Sequence, residues 1–395
     1  MRILFCNYEY PPIGGGGGVI NAYIAEDLAA RHDVTVLTSQ AMGLPEESVE
    51  NGVRVIRVPV LGRKNESVAS MVSLLSFVPR GIRRGKELLR KEKFDVINTH
   101  FVLPTGPVGD ALSRFAGIPN VLSVHGGDLY DPSKFMSPHR HFVLRTWIRK
   151  LLRRANLVVG QSTNTLTKVR EFYTPEIDGV RIPLGILRPG AGTGTRADYG
   201  FDEDDVLLVT IGRLVARKGL HQLVKVMGSF KGQKVRLLII GSGPQAEPVK
   251  ALAQELGVEG QVHLMGRVDE DEKVGLLRMS DIYTSTSLHE GFGLVFLEGM
   301  ATGLPVVCYD NGGQTDFLTD GVTGHVIPLN DIETFQARCS QLIDSVELRR
   351  RMGDENLNHV EAYFIDQCAL QYENVFRRVL EDGATEAHVD QATRA

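Results

Sequence analysis

With 395 residues, 43% of them hydrophobic and 23% charged, the chain is longer than one core usually accommodates, so two domains are expected and wholesale disorder is excluded. The formal charge of −4 conceals a split: residues 1–188 hold 25 Lys+Arg against 17 Asp+Glu, a net +8, and the remainder holds 19 against 31, a net −12. Such a split speaks of partners: the first half should attract something anionic, but it lacks aromatics interleaved on strands, which argues against nucleic acid.

The N-terminus, Met1-Arg2-Ile3-Leu4-Phe5-Cys6-Asn7, reaches prolines and glycines by Pro11, too soon for the apolar core of a signal peptide. No run approaches the ~18 apolar residues of a membrane span. Cys6, Cys308, Cys339 and Cys368 form no C-x-x-C pair and stand near no histidine at metal spacing, which suits buried thiols in a reducing compartment. A cytoplasmic protein is expected.

Residues 2–7 predict a strand, Pro11 to Gly18 a Pro/Gly-rich loop, and Ile20, Tyr23, Ile24 and Leu28 a helix; Val34–Thr38 predicts the next strand. Strand, glycine loop, helix, strand is a βαβ opening and implies a parallel sheet. Further strands are expected at 53–58, 94–98, 120–124 and 157–160. The Gly/Thr/Pro-rich stretch from Pro183 to Tyr199 predicts a linker, after which the βα pattern restarts with strands at 206–211, 235–240, 261–264, 281–285, 305–308 and 325–327. The fold class expected is therefore α/β, two doubly wound Rossmann-like domains facing across a cleft. Their bounds are 1–187 and 188–363, with an amphipathic helix at 364–383 completing the first and a disordered tail at 384–395.

Three stretches carry chemistry. The run Gly14–Gly18 lets backbone approach a ligand at a helix N-terminus. The second strand ends Thr38-Ser39-Gln40, without the acid an NAD ribose needs, and no Gly-Lys-Ser/Thr marks a P-loop; a flexible turn is the plainer reading. In Gly212-Arg213-Leu214-Val215-Ala216-Arg217-Lys218-Gly219, a guanidinium and an ammonium five residues apart on a loop leaving a strand can converge on a diphosphate. The competing reading is two solvated cations, and Arg217 is assigned to the surface. In His289-Glu290-Gly291-Phe292-Gly293-Leu294-Val295-Phe296-Leu297-Glu298, glycines allow close packing, the N–H groups near Leu294 and Val295 can meet a phosphate, and two carboxylates can accept from sugar hydroxyls.

These motifs resemble the donor domain of glycosyltransferase family 4, the retaining glycosyl transferases of group 1 with the GT-B fold. The matching residues are Gly212-Arg213 with Lys218-Gly219, Ile239 to Pro244, Val262 to Val268, Glu290 with Glu298, Gly303 to Val307, and Gly312-Gly313 with Asp320 to Gly324. The first half is similar in its glycine loop and in Ser123-Val124-His125-Gly126-Gly127-Asp128. The resemblance implies that Arg213 and Lys218 hold the donor diphosphate, Glu290 the transferred hexose and Glu298 the ribose. Gly15, Gly16, Gly17, Gly212, Gly243, Gly291, Phe292, Gly293, Leu294 and Val295 would line the donor, and the Val268 backbone would meet the base. His125 would lie against the sugar and Asp128 near the acceptor. Pro183-Leu184-Gly185-Ile186 departs from the Pro-Asn-Gly-Val-Asp of many relatives, a difference that concerns the hinge.

The resemblance implies retention with a nucleotide-sugar co-substrate. With no Asp-x-Asp cluster, neither metal nor other cofactor is expected, and two cations can stabilise the leaving phosphate. UDP-sugars and GDP-mannose remain open as donors, UDP-sugars being commoner in the family. A sugar, glycan or lipid-linked acceptor in cell-surface polysaccharide or glycoconjugate synthesis is expected. A sugar-nucleotide epimerase and a non-catalytic nucleotide-sugar sensor are the rival readings. The basic stretches 80–91 and 139–154, the second carrying Phe142, Leu144, Trp147, Ile148, Leu151 and Leu152 among its cations, suggest an anionic membrane surface as a further partner; a solvated basic face over core leucines is the plainer account.

Overall fold

The computed structural model describes residues 1–40, 43–63, 69–130 and 137–394. They divide into two units: Met1–Gly185 together with the chain from Ile365 onward, and Ile186–Phe364.

In the first unit one sheet holds β1 (Arg2–Cys6), β2 (Asp33–Gln40), β3 (Glu47–Glu50), β4 (Val53–Pro59), β5 (Val96–His100), β6 (Asn120–Val124), β7 (Leu157–Gly160) and β8 (Gly179–Arg181). Their order is β3-β4-β2-β1-β5-β6-β7-β8, and the pairings are parallel except for β3 against β4. Residues on both faces of β1, β5 and β6 are buried, as a parallel sheet covered by helices requires. The covering helices are α1 (Gly16–Ala29), α2 (Met71–Lys91), α3 (Gly106–Ala116), α4 (Phe142–Arg154) and α5 (Thr163–Phe172).

The second unit has a wholly parallel sheet of β9 (Val206–Ile211), β10 (Val235–Ile240), β11 (Val262–Gly266), β12 (Ile282–Ser285), β13 (Val306–Tyr309) and β14 (Gly324–Ile327), in the order β11-β10-β9-β12-β13-β14. Around it pack α6 (Leu220–Gly228), α7 (Ala246–Leu256), α8 (Glu270–Met279), α9 (Leu294–Ala301), α10 (Ile332–Asp344) and α11 (Val346–His359). The strand order reverses beside β1 in the first sheet and beside β9 in the second. At such a point neighbouring loops leave the carboxyl ends of their strands in opposite directions, opening the crevice where α/β sheets bind ligands.

Several local expectations change. Strand β3 alternates exposed and half-buried residues, and β8 is only three residues long, so neither carries an apolar run to read. Helix α2 starts at Met71, ahead of the basic stretch 80–91, because Ser70 caps it by accepting the Ser73 N–H at 3.1 Å. Pro79 sits inside this helix; the carbonyl it leaves without a partner belongs to exposed Leu75, where water can serve. In the stretch 139–154, His139 and Arg140 belong to a 3-10 turn and the helix begins at Phe142. The last helix, α12 (Ile365–Arg394), continues through residues 384–394, expected to be disordered; once its first turns are docked, propagation costs little over Ala384, Glu386 and Ala387.

The docked part of α12 belongs to the first unit, where Cys368, Tyr372 and Phe376 are buried. Glu373, with 9% of its side chain exposed, pairs with Arg31 at 3.1 Å, His32 at 3.2 Å and Arg377 at 2.7 Å. The Arg377 hydrogen bond, joined by those from Arg31 and His32, outweighs burial and pulls the Glu373 carboxyl down to about 2. A carboxylate depressed in the fold adds stability above its unfolded pKa and loses it as pH falls through the folded value. Glu373→Gln should therefore cost about 2 kcal/mol at pH 7. In denaturant titrations the gap to wild type should close as the pH drops from about 4.5 toward 2; a gap that persists at the acid end would show that the charge is not its origin.

Candidate active site

In the second unit, loops at the carboxyl ends of β9, β10, β12 and β13 are tied into one platform. Gly212 N–H donates to Ile240 O at 3.0 Å and Leu214 N–H to Ser242 O at 3.0 Å, joining the β9 and β10 loops. Leu288 N–H donates to Arg217 O at 2.8 Å, and the Thr286 hydroxyl donates to Gly219 O at 3.0 Å, joining β9 to β12. Glu290 N–H donates to Asn311 O at 3.2 Å and Gly313 N–H to Glu290 O at 3.0 Å, joining β12 to β13. Gly219 is required here: its φ is +60°, and a Cβ would strike the Thr286 carbonyl. Gly243 packs in the same way on the Leu214 carbonyl.

On this platform Lys218 Nζ hydrogen-bonds Glu290 Oε1, and its carbon chain lies over Gly212, where a Cβ would come within 3.0 Å of Cε. Arg217 is not a bystander on the surface: it donates to His289 O at 3.0 Å and reaches Glu290 Oε2 at 3.4 Å. Burial alone would raise the Glu290 carboxyl, but Lys218 and then Arg217 outweigh it and hold it at about 2, so it stays a carboxylate. Lys218 and Glu290, read separately from sequence as a phosphate cation and a sugar acceptor, thus form a pair. Arg213 is exposed and, among the described residues, has no ion-pair partner, which leaves its five N–H donors available.

Gly291, Phe292 and Gly293 lead from Glu290 into α9. Phe292 is buried against Phe317 at 5.3 Å between ring centroids, and Gly293 caps the helix at φ +100°. Leu294 and Val295, both half-buried, form the first turn, whose N–H groups have no partner within the helix. One turn on, Glu298 Oε1 accepts from Lys273 of α8 at 2.9 Å, whereas Oε2 is buried with no hydrogen-bond partner. Burial, only partly offset by Lys273, raises its carboxyl. Val268 lies half-buried between β11 and α8.

In the first unit, Gly15, Gly16 and Gly17 lie where β1 gives way to α1. The Gly15 N–H is taken by Glu9 Oε2 at 3.1 Å, so a carboxylate of the chain sits at this helix N-terminus. His125 follows β6. Its backbone N–H donates to Asp128 Oδ1 at 3.0 Å, the Val102 backbone N–H donates to Asp128 Oδ2 at 2.7 Å, and the Gln161 amide donates to the His125 carbonyl at 2.6 Å. Phe101, at the exit of β5 with φ +68°, stacks on the His125 ring at 4.2 Å. A Cβ on Gly17 would come within 2.6 Å of the Phe101 ring, so the glycine loop, Phe101 and His125 are packed in series. Burial lowers His125 to about 4 and raises Asp128 to about 6; near neutral pH the imidazole is uncharged and Asp128 mostly ionised. Phe101, His100 and Gln161 were not singled out from sequence, although Thr99-His100-Phe101 at a strand end is a visible cue. Lys273, mid-helix and among other charges, gives none.

Among the described residues no group of three or more His, Cys, Asp or Glu could hold a metal, and no helix is long and apolar enough to cross a membrane. The pattern of the Glycosyl transferase 4-like domain matches residues 15–185, and that of Glycosyl transferases group 1 matches residues 193–359. The N-acetyl-alpha-D-glucosaminyl L-malate synthase of Bacillus anthracis is 26% identical over 389 residues, 94% of this chain and 96% of that one. Sucrose-phosphate synthase from Thermosynechococcus elongatus superposes with a TM-score of 0.83 at 22% identity, over 97% of this chain and 100% of that one. The Anabaena protein Alr3699/HepE, in complex with UDP and glucose, does so with a TM-score of 0.74 at 19% identity, over 96% and 100%. With both units covered by family patterns and both relatives and fold neighbours spanning nearly the whole length, the chain belongs to the GT-B glycosyltransferases of the group 1 and 4-like family, enzymes that use nucleotide sugars to build glycans and glycoconjugates.

Proposed function

We propose that this protein transfers a hexosyl residue, with retention, from a nucleotide sugar to a sugar, glycan or lipid-linked acceptor on the cytoplasmic side of the cell. The observation that carries the reading is the platform at the β9 switch point: Lys218 pairs with Glu290 on the loop that also bears exposed Arg213, and in α9 the buried Glu298 Oε2 has no partner. A buried acceptor atom without a donor is costly, and a ribose hydroxyl is a donor of the right kind. A UDP-sugar is the favoured donor, in line with the UDP and glucose held by the Anabaena protein, with GDP-mannose as the alternative.

In this reading Arg213 and Lys218 neutralise the charge that develops on the departing diphosphate. Glu290, kept ionised by Lys218 and Arg217, accepts from hexose hydroxyls. His125, uncharged, offers hydrogen bonds to the sugar without adding a cation, and Asp128 fixes the loop that carries it. The acceptor hydroxyl attacks the face from which the diphosphate leaves, and a phosphate oxygen takes its proton. Because protein cations perform the charge neutralisation, no metal or other cofactor is required.

A surface role accompanies this chemistry. On α4, Phe142 and Val143 are 82% and 74% exposed, and on α2 Met71, Val72 and Leu75 are exposed ahead of Arg83 and Arg90. Not every cation there is free: half-buried Arg145 and Arg149 donate to the carbonyls of Phe172 and Tyr173, and exposed Arg153 and Arg154 pair with Glu176 and Asp110. The apolar side chains with the remaining cations fit an anionic lipid surface.

Three outcomes are expected. Arg213→Ala should lower kcat by about 10²–10³-fold with an unchanged melting temperature, while Lys218→Ala should lose activity and stability together by stranding Glu290; wild-type transfer in either would refute the assignment. Transfer should survive EDTA, and a loss restored by Mg²⁺ or Mn²⁺ would overturn the leaving-group account. Co-sedimentation with anionic vesicles should weaken with salt and fall in the double variant Phe142→Ser, Val143→Ser; equal recovery with neutral vesicles at low salt would leave only a soluble acceptor.

A further inference from the structure

A line of buried polar side chains runs through the first unit from α12 to His125. The Tyr372 hydroxyl donates to Ser123 Oγ at 3.1 Å, and Ser123 donates to Asn98 Oδ1 at 3.4 Å. Asn98 Nδ2 lies 2.8 Å from His100 Nε2, and His100 Nδ1 lies 3.0 Å from His125 Nε2. Tyr372, Ser123, Asn98 and His100 are each 0–1% exposed and His125 is 8% exposed, so water does not compete for these bonds.

The line has a direction. The Asn98 carbonyl oxygen faces Ser123 and its amide nitrogen faces His100. An amide nitrogen only donates, so His100 Nε2 must accept, and a neutral imidazole that accepts there carries its hydrogen on Nδ1. That N–H points at His125 Nε2, which must accept in turn, placing the His125 hydrogen on Nδ1. Burial keeps both rings neutral, as the relay needs: it takes His100 well below the usual histidine value, with the neighbouring His125 adding to it, and His125 to about 4. Phe101 stacks on the His125 ring, and Gln161 both donates to the His125 carbonyl at 2.6 Å and hydrogen-bonds its side chain, so the ring is held in place.

We propose that Tyr372, Ser123, Asn98 and His100 are positioning residues that lock His125 in the Nδ1–H tautomer, so that the N–H available to the donor sugar is Nδ1–H. This rests on the reading of His125 as the residue that meets the sugar, and it adds what orients it. An imidazole of the wrong tautomer would present a lone pair to a sugar oxygen and repel it. The relay begins on the last helix of the chain.

Nitrogen-15 spectra of the histidines in the full-length protein at pH 7 test the lock directly, since protonated and bare ring nitrogens differ widely in shift. The wild type should show both His100 and His125 as Nδ1–H, and a His125 protonated on Nε2 would overturn the proposal without need of any variant. Asn98→Asp replaces the donor by an acceptor and should reverse both tautomers. It should lower kcat about a hundredfold, within the range of a misplaced proton-transfer or hydrogen-bonding group, with little change in KM for the nucleotide sugar. Wild-type kcat with unchanged tautomers in a folded Asn98→Asp protein would also overturn it. His125→Ala separates the two readings: retained activity there would remove His125 from the chemistry while leaving the tautomer result standing.

Discussion

The pair between Lys218 and Glu290 is the contact on which the platform, and the donor site proposed for it, depend. It joins the loop after β9 to the loop after β12 across the point where strand order reverses. Two oppositely charged groups so nearly buried would each be unfavourable alone. Lys218 and Arg217 keep Glu290 ionised and leave the loop cationic, as a site that accepts from hydroxyls and attracts a diphosphate would require. Arg213 adds charge at no folding cost, because its guanidinium stays in solvent. The division between a partnered cation that shapes the site and a solvated one that serves the ligand is set by burial.

Both sheets show why these loops can be active at all. Strands buried on both faces have no freedom to vary, so the chemistry collects where the backbone leaves the sheet. In the first unit Gly17 leaves space for Phe101, whose left-handed backbone turns its ring onto His125. A bulkier residue at position 17 would push that ring aside and release His125.

Much of this was legible in the sequence because parallel strands read as apolar runs: the strands at 206–211, 235–240, 120–124 and 157–160 appear at their expected places. Two such series implied two doubly wound domains, and the GT-B class came from the family resemblance carried by motifs that include Arg213, Lys218, Glu290 and Glu298. What escaped notice was relational. Arg217 looked like surface because a cation between two others has no signature of a carboxylate seventy residues on, and Lys273 was one charge among many on α8. His100 and Asn98 read as ordinary polar residues on a strand, since their meaning lies in which nitrogen faces which. Strand β3 and the early start of α2 were hidden by acidic residues and by Pro79, signals that normally argue against strand and helix.

The return of the chain has a consequence for how the protein is made. The unit from Ile186 to Phe364 is one continuous stretch and can complete its sheet as soon as it leaves the ribosome. The first unit cannot: it waits for α12, synthesised after the whole of the second unit, to supply Tyr372 and Phe376. Until then the seat for α12 is open, and the hydrogen-bond line to His125 lacks its first member. A nascent or truncated chain that ends before residue 365 would carry a complete second unit and a first unit with an unfilled core. Birth order therefore places the platform of Lys218 and Glu290 ahead of the packing of Tyr372 against Ser123.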